Sequence, residues 1–258
     1  MTTVLPTNFY FSDTCTEPSA CLPKSRVSRN GRGPSGALPQ GRIDSPRIPG
    51  KTPLKKAMNA KDINTGYRLG YRVKSTWHQS DRNRPSAKTL EDNAGTIAYI
   101  IWRLSLEGAK KIHGEGFEYL SDKERIGVIN EFVAFLLQSA DRLVFKRLED
   151  KDREIFINFA GRRLADQVQD NLLDIAGPGN YRRPFIAMLN ERLADYATLS
   201  FEEGMPGYDF MRYFGDRVLK TMPPNQTNRW VIDQIMDISG PYVSGKLQES
   251  VRNLFGGI

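Results

Sequence analysis

The sequence has few of the residues that build metal centres and disulfide scaffolds. Among its 258 residues only two are cysteines and two are histidines. Cys15 and Cys21 are too few for a disulfide framework, and a lone Cys-x5-Cys pair without a nearby histidine is poor evidence for zinc. We therefore predict no metal site and no cofactor.

The common catalytic motifs are also missing. A Ser-His-Asp triad would have to use His78 or His113, and no Gly-x-Ser-x-Gly turn occurs. No phosphate-binding glycine loop ends in Lys-Ser or Lys-Thr, and no dinucleotide-binding glycine pattern follows a strand. We predict no catalytic residue, although a helical-bundle enzyme without a recognisable motif stays open as an alternative.

No long apolar run is present. The nearest candidate, IAYIIWRLSL at residues 97–106, contains Arg103 and is much shorter than the roughly 20 residues that a membrane span needs. The first residues show no basic stretch followed by an apolar run, so we expect no secretory signal. These features predict a soluble, cytoplasmic protein without a membrane span.

Charge is divided unevenly along the chain. The whole chain has a formal net charge of +7, from 37 basic and 30 acidic residues. Residues 1–88 contain 16 basic and 5 acidic residues, a net charge of +11, which leaves −4 for the remainder. Such a division is typical of a basic segment that binds an anionic partner.

Proline and glycine interrupt the same basic segment. Nine of the fifteen prolines lie in residues 1–88, and apolar residues there are sparse and scattered. Because proline removes backbone donors and glycine raises the entropic cost of ordering, this segment cannot bury enough area to fold alone. We predict a disordered or extended basic arm over residues 1–88, followed by a helical domain over residues 89–258.

Helix signals begin at residue 89. The sequences TLED (89–92) and SDKE (121–124) have the spacing of capping boxes. After the second box, apolar residues recur at alternating four- and three-residue steps, which predicts a central helix with a seam formed by Ile129, Val133, Leu136, Ala140 and Leu143. Gly240 is expected to end the sixth of about seven helices. The predicted fold class is therefore all-α, a helical bundle in one domain.

One segment of the arm has the pattern of a strand. In NTGYRLGYRVKSTW, residues 64–77, apolar and basic residues alternate with a period of two. The candidate partner-binding residues are Tyr67, Arg68, Leu69, Tyr71, Arg72, Lys74 and Trp77. Three interpretations are open: a linear motif that binds a protein, a nucleic-acid contact in which rings stack on bases, and packing against the helical body.

Two features of the helical domain are candidate binding sites. In GPGNYRRPF, Arg182 and Arg183 precede an expected helix N-terminus, which predicts an anion site with a solvated loop as its alternative. The aromatic-rich residues 199–214 form either a recognition patch or part of the core; periodicity cannot separate the two, and we favour the core. Glu202 and Glu203 in that stretch suit a basic peptide, including the chain's own arm.

These features favour a non-enzymatic interaction, adaptor or assembly protein. Its helical domain supplies a docking surface, and its basic arm orders on an anionic partner, which is another protein or a protein complex. Sequence-tolerant binding of RNA or DNA through the arm is the main alternative. A homo-oligomer is also open, because the central helix has a wide apolar surface.

Overall fold

The computed structural model describes residues 89–145, 147–225 and 227–255. The predicted arm and its seven predicted partner-binding residues fall outside these ranges, so those predictions stay predictions. The described part is almost entirely helical, which confirms the predicted all-α class.

Six helices of 14 or more residues build the described part of the chain. They are α1 (Leu90–Gly114), α2 (Asp122–Val144), α3 (Asp150–Ala176), α4 (Arg182–Ala197), α5 (Tyr208–Thr221) and, after the four-residue α6 (Val231–Gln234), α7 (Gly240–Phe255). A 3-10 turn, Asn228–Trp230, precedes α6, and a π turn, Ile235–Ser239, joins α6 to α7. A small antiparallel hairpin, β1 (Phe201–Glu202) and β2 (Met205–Pro206), connects α4 to α5, with Phe201 paired to Pro206 and Glu202 to Met205.

Side-chain caps define where α1 and α2 begin. The Thr89 hydroxyl accepts the Asp92 N–H at 3.1 Å, and the Asp92 carboxylate accepts the Thr89 N–H at 3.1 Å. This reciprocal pair confirms the first predicted capping box. The Ser121 hydroxyl caps α2 in the same way, but the Glu124 carboxylate accepts the N–H of Leu120 rather than that of Ser121.

The central helix of the body is α2. It packs against α1, α3, α4, α5 and α7. The predicted seam is confirmed, because Ile129, Val133, Leu136 and Ala140 are buried and Leu143 packs half-buried at its end. Since residues 131–141 of α2 are all buried, the polar side chains of that stretch need partners inside the protein.

Aromatic rings fill the space between α2, α4 and α5. Phe135 stacks on Phe214 with ring centroids 4.2 Å apart, and Tyr196 stacks on Phe210 at 4.5 Å. Two aromatic residues of the 199–214 stretch, Phe210 and Phe214, therefore belong to the core, whereas Tyr208 is 72% exposed. The structure thus divides that stretch between core and surface.

Gly240 does not end the helical backbone as predicted. The Gly240 N–H donates to the carbonyl of Ile235, five residues earlier, and the backbone continues into α7. The wider π turn accommodates Pro241, which has no N–H and whose ring would clash with the carbonyl four residues back in a regular helix. A Cβ on Gly240 would lie 2.7 Å from the backbone carbonyl oxygen of Ile235 and 2.6 Å from the Met211 sulfur. The π turn itself, together with the approach of α5, therefore requires glycine here.

A second close approach, between α1 and α2, generates a stability prediction. A Cβ on Gly108 would lie 2.4 Å from the ring of Phe132, which is fully buried and meets Phe214 edge-on at 4.8 Å. We expect Gly108→Ala to lower the free energy of unfolding by about 1–3 kcal/mol, because the ring has no space into which to move. Urea denaturation measures the change.

The matched control lies in the same helix. A Cβ on Gly95 would have its nearest neighbour at 4.0 Å, so Gly95→Ala should raise the free energy of unfolding by about 0.5–1 kcal/mol through helix propensity alone. Equal effects of the two substitutions would contradict the proposed packing of α1 on α2.

Candidate docking surface

A buried asparagine positions the segment that precedes α7. The Asn228 amide donates to the carbonyls of Glu118 at 3.1 Å and Pro223 at 2.9 Å, and its oxygen accepts the Glu118 N–H at 3.1 Å. These bonds join the start of the 3-10 turn to the α1–α2 connection and to the end of α5. The turn is thereby fixed in a way that leaves Trp230 facing solvent.

One face of the segment from Trp230 to Pro241 is exposed. The buried residues are Val231, Ile235, Ser239 and Gly240. The exposed residues recur at helical spacing on the opposite side, and we call them the Trp230 face: Trp230, Asp233, Asp237, Ile238 and Pro241. Trp230 is 55% exposed and Ile238 is 45% exposed.

The Trp230 face combines apolar area with negative charge. Asp233 and Asp237 form no side-chain hydrogen bond or ion pair with another residue of the described ranges. Arg229 is the only basic residue in the sequence 228–241, and its guanidinium lies 4.8 Å from the centre of the Trp230 ring. A ligand with apolar and cationic groups would therefore find complementary partners here.

The structure brings Arg182 and Arg183 together at the N-terminus of α4. The first N–H groups of that helix have protein partners, because those of Tyr181 and Arg182 both donate to the Gln169 side chain at 2.7 Å. The Arg182 guanidinium lies 3.0 Å from the carboxylate of Asp166, and Arg183 is exposed. Protein groups therefore occupy part of the predicted anion-binding position, and the anion site stays a prediction.

The acidic residues of the 199–214 stretch lie in the hairpin. Glu202 and Glu203 are both exposed, and Glu203 and Gly204 have positive φ angles of 53° and 79° at the turn. Two consecutive residues in this conformation form the tight turn that matches the twist of a two-stranded hairpin. The hairpin is thus a second acidic surface, but it carries no exposed large apolar side chain.

A buried ion pair joins α2 to α4 and was not foreseen from the sequence. The Arg192 Nε lies 3.0 Å from one Glu131 oxygen, and its Nη2 lies 3.2 Å from the other. This bidentate arrangement is the strongest geometry available to an arginine and a carboxylate. From α5, the Arg217 Nε lies 4.0 Å from the same carboxylate. The sequence does not reveal this pair, because a charged residue on an amphipathic helix is expected on the face that is exposed to solvent.

Two tyrosines adjoin this pair. Burial, and then the charge of Glu131, raises the pKa of Tyr196 well above its ordinary range. Burial, and then the hydrogen bond to Asp195, raises the pKa of Tyr213 as well. Burial lowers the pKa of Arg192, but the hydrogen bonds and charge of Glu131 outweigh it and leave that pKa raised. With raised pKa values both phenols are neutral at physiological pH, so they present no ionised nucleophile.

A second buried pair joins α2 to α3. The Arg153 Nε lies 3.0 Å from an Asp141 oxygen, and the Arg153 guanidinium lies 4.8 Å from the centre of the Phe145 ring. Burial raises the pKa of Asp141 to about 6, against the opposing charges of Arg153 and Arg142. At neutral pH the carboxylate is therefore ionised and paired with arginine.

Within residues 89–145, 147–225 and 227–255, no helix contains an apolar stretch that could cross a bilayer. The same ranges contain no group of three or more Cys, His, Asp or Glu side chains arranged to hold a metal ion. No protein-family model, curated protein or solved structure matches the chain. The chemistry of the surface and the charge of the chain are therefore the observations that bear on function.

The Glu131–Arg192 pair yields a prediction about helix packing. Glu131→Leu alone leaves Arg192 only the exposed carboxylate of Glu191, 2.7 Å away. Arg192→Met alone leaves Glu131 only Arg217, at 4.0 Å. Each should therefore lower the free energy of unfolding by up to about 3–5 kcal/mol. The double variant removes both charges and should lose much less than the sum of the two. Urea denaturation of the wild type and the three variants measures this coupling.

An exposed pair serves as the control. Arg212 and Asp216 lie 3.6 Å apart on α5 and are both partly solvated, so Arg212→Met should change stability by no more than about 0.5 kcal/mol. Additive losses in the Glu131 and Arg192 variants would show that the two side chains do not act as a pair.

Proposed function

We propose that this is a non-enzymatic interaction protein, an adaptor or assembly subunit. The helical body provides a docking surface, and the basic arm orders on an anionic partner protein or complex. The observation that carries this proposal is the division of charge, with +11 in residues 1–88 and −4 in the remainder. Opposite charges on two parts of one chain favour contacts with different surfaces of a partner.

In the described body, the charged groups of the interior pair with each other, whereas those of one surface segment are open to solvent, and this contrast supports the proposed function. Its buried charged residues form ion pairs that join helices, as Arg192 does with Glu131 and Arg153 with Asp141. The Trp230 face, by contrast, has apolar side chains and carboxylates that are open to solvent. The groups that a partner could contact therefore lie at the surface. Tryptophan, as in Trp230, is among the residues that contribute most to the binding energy of protein interfaces.

Residues 64–77 are the proposed anchor of the arm. Their tyrosines and tryptophan supply apolar contact area, and Arg68, Arg72 and Lys74 supply charge. Ordering such a segment on a partner costs several kcal/mol of the contact energy. We therefore expect moderate affinity that falls as salt screens the charges.

An affinity pull-down tests the anchor. Full-length protein and the variant Tyr67→Ala/Tyr71→Ala/Trp77→Ala are compared for the proteins that they retain. We expect capture of the partner to fall at least about tenfold in the triple variant, because buried aromatic residues dominate interface energies. Tyr208→Ala, which removes an exposed aromatic ring of the body, is the control and should retain the partner.

Two results would contradict the proposal. The first is a triple variant that captures the same proteins as the wild type. The second is a combination of two findings. In a filter-binding assay the wild type retains RNA or single-stranded DNA, with log affinity falling linearly with log salt. In the pull-down the triple variant still captures every protein that the wild type captures. That outcome would replace protein binding with sequence-tolerant nucleic-acid binding.

A further inference from the structure

We propose that one water molecule is bound inside the helical body, where it joins Arg217 of α5 to Glu131 of α2 and bonds to the hydroxyl of Tyr196 of α4. The site adjoins the Glu131–Arg192 ion pair and involves none of the groups of the Trp230 face. Its ligand is neutral. Its role is to complete the polar contact of α5 with a pair that by itself joins only α2 and α4.

The first observation is a gap between two charged groups that face each other. The Arg217 Nε lies 4.0 Å from an oxygen of Glu131, which is beyond the length of a direct hydrogen bond. That nitrogen is nevertheless buried, and it has no hydrogen-bond partner among the described residues. At such a separation a bridging water satisfies both groups, and it is enthalpically nearly as good as a direct hydrogen bond.

The length of the gap fits one water. With hydrogen bonds of about 2.9 Å on each side, a single oxygen atom spans 4.0 Å at an angle of about 90°. The water accepts the N–H of Arg217 and donates to the Glu131 carboxylate. A carboxylate has about four acceptor sites, and the hydrogen bonds from Arg192 occupy at most three of them. An acceptor site therefore remains for the water.

The second observation is a buried hydroxyl without a protein partner. Tyr196 is fully buried, and its hydroxyl forms no hydrogen bond with a described residue. Unpaired buried polar groups are costly and rare in native proteins, and an enclosed water is a common partner for them. The ring cannot turn away to find another partner, because it stacks on Phe210 at 4.5 Å and meets Tyr213 edge-on at 4.9 Å.

The Tyr196 hydroxyl belongs to the same polar cluster. Tyr196 follows Arg192 by one turn of α4, and long side chains on a helix lean toward its N-terminus, which directs the hydroxyl toward Arg192. The Tyr196 ring also meets Phe135, one turn beyond Glu131 on α2. The charges of Glu131 and Arg217 both affect the pKa of Tyr196. With the hydroxyl the water has three partners, the usual number for a buried water.

The charges around the site select a neutral ligand. A cation would be repelled by the guanidinium groups of Arg192 and Arg217. An anion held by Arg217 would lie a few ångströms from the Glu131 carboxylate, and repulsion between like charges is strong in a poorly solvated interior. Water accepts from a guanidinium and donates to a carboxylate at the same time. The Arg217 side chain is 24% exposed, which gives water a path from solvent.

Buried serine hydroxyls of the same body do not require water. Those of Ser239 and Ser244 are also without a partner in the described ranges. A serine on a helix can bond to a carbonyl one turn back by rotation of its side chain, as Ser105 does with the Ile101 carbonyl at 2.8 Å. The hydroxyl of Tyr196 lies at the far end of a rigid ring and has no such local acceptor.

Oxygen-17 magnetic relaxation dispersion of the full-length protein tests the site. It counts the waters that stay bound for longer than the protein takes to tumble. We expect Arg217→Met to hold one such water fewer than the wild type, because the substitution removes the donor that faces Glu131. Arg212→Met, at an exposed pair on the same helix, is the matched control and should leave the count unchanged. An equal count in Arg217→Met and the wild type would overturn the inference.

The direction of a stability change gives a second test. Tyr196→Phe removes only the hydroxyl, so the ratio of folded to unfolded protein in urea denaturation should fall about fivefold through loss of the hydrogen bond to water. A hydroxyl without any partner predicts the opposite direction, because the substitution then removes an unsatisfied buried group. A Tyr196→Phe protein as stable as the wild type, or more stable, would therefore also refute the bound water. Tyr208→Phe, at a residue that is 72% exposed, should leave the ratio unchanged.

Discussion

The enclosure of α2 is the constraint on which the rest of the structure depends. Five other helices pack against it, so its apolar seam and its polar side chains from Glu131 to Asp141 are inside the protein. A buried carboxylate without a partner is strongly destabilising, and Glu131 is therefore held by Arg192 from α4 while Asp141 is held by Arg153 from α3. These pairs join α4 and α3 to α2, and α5 packs on α2 through the aromatic contact between Phe214 and Phe135.

The same packing determines which groups are available for function. The charged residues of the interior are engaged with each other, so the chemistry that is left lies on the surface. Asn228 and the π turn hold one short segment so that its apolar and acidic residues face solvent. π turns occur often at functional positions, because they change which residues a helix presents. This face therefore offers both apolar contact area and negative charge to solvent.

The sequence predicted the parts of the fold that local patterns encode. Thr89 and Ser121 were correctly placed as helix caps, and the seam from Ile129 to Ala140 identified the central helix, because caps and periodicity are properties of neighbouring residues. Pairing of Glu131 with Arg192 was not predictable, since the partners are 61 positions apart and each has the pattern of a solvated charge. The prediction at Gly240 was wrong because this glycine is required by the close approach of the Ile235 carbonyl and of Met211, and not by a helix end.

The central claim is that α2 is enclosed by its neighbours, with its buried carboxylates held by arginines of α4 and α3. Native-state hydrogen exchange of the full-length protein tests it directly, because the amides of an enclosed helix exchange only through global unfolding. We predict that the amides of residues 131–140, all of which are buried, exchange with the free energy that urea denaturation gives for global unfolding. Exchange of these amides at a free energy well below the global value would contradict the claim.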